Sequence, residues 1–357
     1  MTMAPQKEFS SRDRVGEAAR GIWPLLSLAV ALVIVVALIS MGGVVLQRVA
    51  TDALIKMVMV VGLYVFVGNS GVLSFGHASF MMIAAYGSAW LDVPVRYKKI
   101  LMDELPVFLG QAEFHPALAA VAAMGWAGAF AFLIGIPLMR LSGIGAAIGT
   151  FSWLVIVFVV HGNWESMTGG TSSLNGLPVY VNIWVALAAV LFVMTVAYIF
   201  QTSKIGLALR ASREDEVAAR AIGINIWFAR LMAFVISAML VGLGGVLQGH
   251  FLGTINVTGF YFGITFITIA MLVIGGTGSL AGAVSGVVVV SVVAELLRHV
   301  EKGIEIGETV IAAPAGLREL GLAIVMLVIL LFRPAGLTGG REVPFPKMLG
   351  RLFSARS

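Results

Sequence analysis

Residues 201–225 read QTSKIGLALRASREDEVAARAIGIN, and this charged segment separates two long apolar stretches. The chain around it is 59% hydrophobic and only 11% charged. A protein that only has to sit in lipid has no need of a structured polar loop between two spans. We therefore expect a soluble partner to bind at this segment, which is called the island below.

Composition places the 357-residue chain in a membrane, because its mean hydropathy is +1.01. A soluble domain of this length could not bury so much apolar surface, whereas a bilayer accommodates it. The chain has no cysteine, which excludes disulfides, zinc–thiolate sites and thiol catalysis. The net charge of +5 is interpreted as a set of topology signals and not as a nucleic-acid surface. The fold class predicted is an all-α polytopic membrane protein.

About ten transmembrane helices are predicted, including short or broken ones, since a span needs roughly 20 apolar residues. The run that begins at Trp23 is too long for a signal peptide and is interpreted as a retained first helix. The predicted spans are 23–45, 49–67, 72–91, 116–139, 144–161, 181–200, 230–250, 262–276, 279–297 and 316–332.

The distribution of positive charge predicts that both termini are cytoplasmic. With an even number of spans, 15 of the 23 basic residues fall on the side of the island. The loops 162–180 and 251–261 on the other side have no Lys or Arg, and the loop 92–115 is the exception. The predicted organisation is a cytoplasmic tail 1–22, one transmembrane domain 23–339 that contains the loop 201–229, and a cytoplasmic tail 340–357.

The island itself predicts one helix of about ten residues, from 213 to 222, about 15 Å long. Ser212 with Asp215 forms a capping-box pattern, and Gly223 is placed to end the helix. Val217 and Ile222 belong to one small apolar face of this helix. The alternative is a connector that lies on lipid headgroups, but its acidic start is unusual for an interfacial helix.

Five segments resemble the LivM-type permease subunit of the branched-chain amino-acid ABC importers, and they occur in that family's order. They are GNSGVLSFGHASF (68–80), TGGTSSLNGLP (168–178), the island residues 206–225, IGGTGSLAG (274–282) and FRPAGLTG (332–339). They are spread over most of the range 60–340, and the island resembles the family's ATPase-coupling loop. The spacing from Glu216 to Gly223 is one residue longer than the general importer motif, so that motif's contacts are not transferred in detail.

The resemblance implies an ABC-importer permease fold in the bacterial inner membrane, without a bound cofactor. Two ABC ATPase subunits would bind ATP and Mg²⁺ and supply hydrolysis, so this chain would be no enzyme. A second related permease, the same chain or a different one, and a periplasmic or secreted solute-binding protein would complete the assembly. The solute would be a branched-chain amino acid, with urea, amides or aromatic acids as alternatives. The predicted ATPase-coupling residues are Arg213, Glu214, Asp215, Glu216, Val217, Ala218, Arg220, Ile222 and Gly223.

Polar residues at the junction of the second and third spans are candidates for the substrate path, because glycines interrupt the helix there. A broken helix leaves backbone groups free to bind a zwitterion. The alternative is that the serines bond to their own helix and that His77 only packs. The candidates are Asn69, Ser70, Ser74, His77 and Ser79, with Thr150 in the fifth span.

A glycine-rich loop without basic residues is a candidate surface for the binding protein. Its candidate residues are Thr168, Gly169, Gly170 and Asn175. Composition alone favours the alternative of a flexible turn.

Motifs for enzymatic chemistry are absent from the sequence. It contains no phosphate-binding loop, no HExxH and no GxSxG, and its five histidines have no metal-ligand spacing. The main rival is a secondary transporter driven by an ion gradient, which would be expected to have carboxylates within the membrane. Asp52 and Glu295 lie near predicted span ends, and Asp52 has a Lys56 partner four residues on.

Overall fold

A computed structural model of the protein describes residues 11–102, 104–302, 304–306, 309–311 and 317–344. Parts of both predicted tails, 1–10 and 345–357, lie outside the described residues.

The described chain is almost entirely helical. Two short antiparallel pairs of strands accompany the helices: β1 Leu174–Asn175 with β2 Thr254–Ile255, and β3 Ile304–Ile306 with β4 Thr309–Ile311. A 3-10 helix, Val257–Phe260, precedes α13. The α-helices are α1 Ser11–Ser40, α2 Val44–Ser70, α3 His77–Asp92, α4 Val95–Leu101, α5 Val107–Gly110, α6 Pro116–Leu138, α7 Gly143–Asn163, α8 Glu165–Thr168, α9 Ile183–Thr202, α10 Lys204–Glu214, α11 Glu216–Ala221, α12 Ile226–Leu252, α13 Phe262–Gly275, α14 Leu280–Lys302 and α15 Leu317–Phe332.

Ten of these helices correspond one to one with the predicted spans, which confirms the fold class. Within the described residues, eight helical stretches are long and apolar enough to cross a membrane. The other two are α3, with 16 residues, and the shorter apolar stretch 320–329 within α15. The prediction that some spans are short is therefore confirmed by α3 and α15.

The predicted third span, 72–91, begins too early. Gly71 adopts a left-handed conformation with φ +70° and ends α2, so the chain runs without helix until α3 begins at His77. The first helix begins at Ser11, so part of the predicted tail 1–22 is helical.

The centre of the bundle is built on α2 and α12, with α3, α6 and α9 around them. Nearly every side chain of α2 from Met57 to Ser70 is buried, as expected for a helix that is apolar on all sides. The eighth and ninth spans, α13 and α14, are packed closely together. A Cβ at Gly286 of α14 would fall 1.9 Å from the carbonyl oxygen of Met271 in α13. A side chain at that position would force the two backbones apart.

Both described ends of the chain lie on the same side of the bundle as the island. Trp23, in the first half of α1, donates a hydrogen bond from Nε1 to the carbonyl of Pro344, at 3.1 Å. Tyr198, near the end of α9, bonds to the carbonyl of Gly21. Since the island follows α9 directly, we call this the island side and the opposite side the far side.

The loop 92–115 lies on the far side, where its positive charge was the exception to the charge asymmetry. Lys98 is 1% exposed and donates to the carbonyls of Leu109 (3.1 Å) and Ala112 (2.6 Å). Burial lowers the pKa of the Lys98 ammonium, although Asp92 and Glu113 oppose this effect. At least one of the exceptional charges therefore holds the loop together and is not a free topology signal.

Candidate coupling and transport site

The island forms two helices, α10 and α11, and not the single helix 213–222 predicted from the sequence. Asp215 separates them, and its carboxylate accepts from the backbone N–H groups of Val217 (2.8 Å) and Ala218 (2.9 Å). Asp215 is thus the N-cap of α11. The predicted cap Ser212 is wrong, because its hydroxyl lies inside α10 and donates to the Leu209 carbonyl at 2.7 Å. The predicted coupling residues Arg213 and Glu214 belong to the last turn of α10.

The small apolar face of α11 is exposed, while the opposite face is buried. Val217 is 79% exposed and Ile222 is 77% exposed, whereas Ala219 is 3% exposed. Gly223 ends the helix in a left-handed conformation with φ +86°, as predicted. An apolar helix face that its own chain leaves uncovered is a surface suited to a groove on another protein.

Glu216 makes two ion pairs, one of which joins α11 to α12. Its carboxylate contacts Arg220 at 2.6 Å on its own helix and Arg230 of α12 at 3.1 Å. Burial raises the pKa of the Glu216 carboxyl, but Arg230 and Arg220 outweigh burial, so the pKa lies below its usual value. Glu216 is therefore ionised at neutral pH and holds α11 against the bundle.

Arg210 joins α10 to α2 in a network that sequence reasoning missed. Its guanidinium donates to Asn69 Oδ1 (2.7 Å), to the Tyr64 hydroxyl (2.7 Å) and to Gln201 Oε1 (3.1 Å). The Tyr64 hydroxyl in turn donates to Gln201 at 2.6 Å. The only sequence signal was the presence of polar residues within apolar runs, which does not identify their partners.

Arg213 fixes α10 to the point where α2 ends. Its Nη1 donates to the carbonyl of Gly68 at 2.7 Å, and its side chain packs against Gly71. The island is thus in direct contact with the helix break at 71–76, so that a movement of α10 would act on this break.

The structure brings the six substrate-path candidates together around that break, and all six are buried. Most of their polar atoms bond locally: Ser70 donates to the Phe66 carbonyl (2.7 Å) and Ser79 donates to the Gly76 carbonyl (2.5 Å). Asn69 also donates to its own helix, at the carbonyl of Val65 (2.9 Å). The alternative that these side chains bond to their own helix therefore describes them better than an open binding site does.

Thr150 and His77 hold the break from two other directions. The Thr150 hydroxyl accepts from the backbone N–H of Phe75 at 3.3 Å, which anchors the segment 71–76 to α7. His77 Nδ1 lies 2.8 Å from the Ser74 hydroxyl, while Nε2 has no hydrogen-bond partner among the described residues. The His77 ring packs against Phe66 and Phe234, which makes it a packing residue on this geometry.

A second helix break, at residues 276–279 between α13 and α14, contacts the first break on the island side. The segment after α15 binds to it. Thr338 donates from its backbone N–H to the carbonyl of Gly275 (3.1 Å), and Glu342 accepts from the N–H groups of Leu280 (2.8 Å) and Ala281 (3.2 Å). The motifs 274–282 and 332–339, noted separately in the sequence, are thus paired in space. A Cβ on Gly68 would fall 2.8 Å from the carbonyl oxygen of Thr277, so the two breaks are in contact.

A cavity of about 530 Å³ opens where these parts meet. Its charged lining comes from Arg213, Glu216 and Arg230, and Ser70 is the one substrate-path candidate that reaches it. The cavity therefore touches the helix break, the island and α12 together.

The glycine-rich loop 168–178 lies on the far side, between α7 and α9. Thr168 and Gly170 are buried, and the Thr168 hydroxyl donates to the carbonyls of His161 (2.6 Å) and Trp164 (2.7 Å). The Thr168 hydroxyl is thus engaged within the fold of its own loop. Asn175 is exposed and lies in β1, which pairs with β2, so the loop is held in place and not simply a flexible turn.

Two carboxylates within the spans are paired with basic residues. Asp52 contacts Lys56, as predicted, and Glu295 contacts Arg298. Among the described residues no group of three or more His, Cys, Asp or Glu is arranged to hold a metal ion. Asp52 and Glu295 therefore each have a basic partner on their own helix.

Comparison with known proteins agrees with this geometry. The family described as "Branched-chain amino acid transport system / permease component" matches residues 45–332. The chain is 28% identical to the high-affinity branched-chain amino acid transport system permease protein LivM of Salmonella typhimurium, over 87% of this chain and 74% of that protein.

Two further relatives have different names within the same kind of transport system. The permease protein LivH of Salmonella typhimurium is 28% identical over 77% of this chain and 88% of its own length. The permease protein BraD of Pseudomonas aeruginosa is 29% identical over 77% and 89%. The family match covers most of the described bundle, including both helix breaks and the island. The chain is a multi-pass membrane protein that belongs to the family of permease components of branched-chain amino acid transport systems.

Proposed function

We propose that the chain is the permease subunit of an ATP-driven importer, and that it moves branched-chain amino acids across the bacterial inner membrane. Two ATPase subunits bind on the island side, which faces the cytoplasm together with both termini. The observation that carries the proposal is the exposed apolar face of α11, which is joined to the bundle through Glu216 and Arg230.

The contacts of the island supply a route for the force. When the ATPases close on ATP, they displace α11, and Glu216 transmits the displacement to α12 through Arg230. Arg210 and Arg213 transmit it to the end of α2 and to the helix break at 71–76. These elements are the two-state part of the permease, and they switch the bundle between outward-open and inward-open forms.

The solute arrives from a binding protein on the far side, where Asn175 is the exposed candidate contact. A cavity of about 230 Å³ lies there, with polar Gln248 and Thr254 and apolar Leu252 and Ile264 in its lining. Gln248 Oε1 and Thr254 Oγ1 are both buried without a hydrogen-bond partner among the described residues. A small solute with a polar end and an aliphatic end suits this lining, which supports an amino acid such as leucine over urea.

A second, related permease completes the membrane part of the transporter. This part of the proposal rests on the relatives, whose names distinguish LivM and LivH as permease proteins of one kind of transport system.

Reconstituted transport tests the proposal. Proteoliposomes that contain the chain, a partner permease and the ATPases should accumulate leucine only with ATP and the binding protein. Accumulation driven by an ion gradient without the ATPases would instead make the chain a secondary transporter.

A further inference from the structure

The cavity on the island side is a candidate binding site in its own right. Its volume of about 530 Å³ is ample for a small organic solute, since a water molecule occupies about 30 Å³. Two arginines and one glutamate line it, so its lining has one net positive charge. Val67 and Leu73 add apolar surface beside these charges.

Arg230 is the part of the lining that lacks a full set of partners. Its side chain is 8% exposed and contacts Glu216 with one nitrogen, while its Nε is buried without a hydrogen-bond partner among the described residues. A guanidinium offers five N–H donors, and a buried donor without an acceptor is unfavourable. Glu216 satisfies Arg230 only in part, because its shorter contact goes to Arg220.

Arg213 presents a second guanidinium to the same cavity. One of its nitrogens donates to the Gly68 carbonyl at 2.7 Å, which positions the group. Arg213 also lines the cavity, and a guanidinium has further N–H donors for an anion. Two positioned guanidinium groups beside an apolar patch form a complement to a carboxylate with an aliphatic tail.

We propose that this cavity binds the carboxylate of the transported amino acid after its release on the island side, and that this carboxylate competes with Glu216 for Arg230. The inference rests on the proposed function for the identity of the solute. The aliphatic side chain lies against Val67 and Leu73, and the carboxylate accepts from Arg230 and Arg213. Because Arg230 is the contact between α11 and α12, a product bound there loosens α11 from the bundle and slows further import.

Binding to the full chain, co-purified with its partner permease in phosphatidylcholine nanodiscs, tests the site without transport. The probes are leucine, 4-methylpentanoate, which lacks the amine, and 3-methylbutylamine, which lacks the carboxylate. Leucine and 4-methylpentanoate should bind, and 3-methylbutylamine should not. Equal binding of the amine would overturn the inference.

Variants of the two competing residues should change leucine affinity in opposite directions. Arg230→Gln should weaken binding by about tenfold or more, because it removes a charged donor. Glu216→Gln should tighten binding, because it removes the competing carboxylate. Arg140→Gln, at an exposed arginine of the island-side loop 139–142, is the matched control and should leave binding unchanged. Unchanged affinity in Arg230→Gln, or weaker binding in Glu216→Gln, would refute the proposed competition.

Two additional measurements distinguish the guanidinium geometry from charge alone and the solute carboxylate from a lipid phosphate. Arg230→Lys keeps the charge without the bidentate geometry, so it should fold like the unaltered chain and bind with intermediate affinity. Addition of phosphatidylglycerol to the nanodiscs should leave leucine binding intact, whereas displacement of leucine would assign the cavity to a lipid phosphate. If the unaltered transporter takes up leucine with ATP but Arg230→Gln binds leucine with normal affinity, only this inference is overturned. Absence of ATP-driven uptake by the unaltered transporter would overturn the proposed function.

Discussion

Charge reversal at Glu216 tests the connection between α11 and the bundle. Glu216→Lys removes the acceptor of two arginines and places a third positive charge beside Arg230, whose side chain is 8% exposed. Loss of one partner from a fully buried ion pair costs about 3–5 kcal/mol. Since the Glu216 side chain is 32% exposed, solvent screening reduces this figure to about 2 kcal/mol. The equilibrium constant for docking of α11 should then fall roughly thirtyfold.

The assay is ATP hydrolysis stimulated by the solute-loaded binding protein, together with leucine uptake, in proteoliposomes. Glu216→Lys should insert and assemble normally but lose most of both activities. The double variant Glu216→Lys with Arg230→Glu restores an opposite charge pair between α11 and α12, and it should recover part of the coupled activity. Stimulated hydrolysis at the normal rate in the single variant, or no recovery in the double variant, would refute the reasoning.

Three other outcomes are expected. Val217→Asp should leave the melting temperature almost unchanged, because the side chain is exposed, but should abolish co-purification of the ATPase subunits; retained binding would argue against α11 as the docking helix. Gly286→Ala should strongly reduce the yield of folded protein, since its Cβ would lie 1.9 Å from the Met271 carbonyl oxygen, whereas the control Gly263→Ala meets nothing within 4 Å and should be tolerated in the same expression test. The lowered pKa of the Glu216 carboxyl means that its ion pairs are fully present above its ordinary value of 4.5 and are lost as the pH falls through the lower folded pKa. Protease protection of α11 should therefore stay constant from about pH 8 to about pH 6, and a loss within that interval would show that another group controls docking.

The membrane-spanning helices could be predicted because each is a long apolar run, and its length and composition are local properties of the sequence. The end of α11 at Gly223 could be predicted too, because the residue after a helix often adopts a positive φ and glycine does so easily. The start of α3 was placed too early because the apolar run continues through Val72 and Leu73, although Gly71 has already ended the preceding helix. Hydropathy records burial in lipid or protein, but it does not record a change of backbone direction.

The contacts of the site could not be predicted, because they join residues far apart in the chain. Arg210 with Asn69, and Glu216 with Arg230, are pairs that no local pattern identifies. The island was predicted as one helix because Ser212 and Asp215 fit a capping pattern, but Asp215 itself caps the second helix. Thr168 is a candidate because its loop is rich in glycine and lacks basic residues, but its hydroxyl donates within the loop's own surroundings, to the His161 carbonyl.

Site-directed cross-linking at α11 tests most directly the claim that the ATPase subunits bind to this helix. Because the chain has no cysteine, an introduced cysteine is the only thiol in it. A single Val217→Cys substitution should react with a membrane-impermeant maleimide only from the cytoplasmic side, and should cross-link to the ATPase subunit in the assembled transporter. The matched control Asn175→Cys should react only from the opposite side. Blocked leucine uptake after the Val217→Cys cross-link forms is the predicted result. Labelling of that cysteine from the outside, or a cross-linked transporter that still imports leucine at the normal rate, would contradict the account.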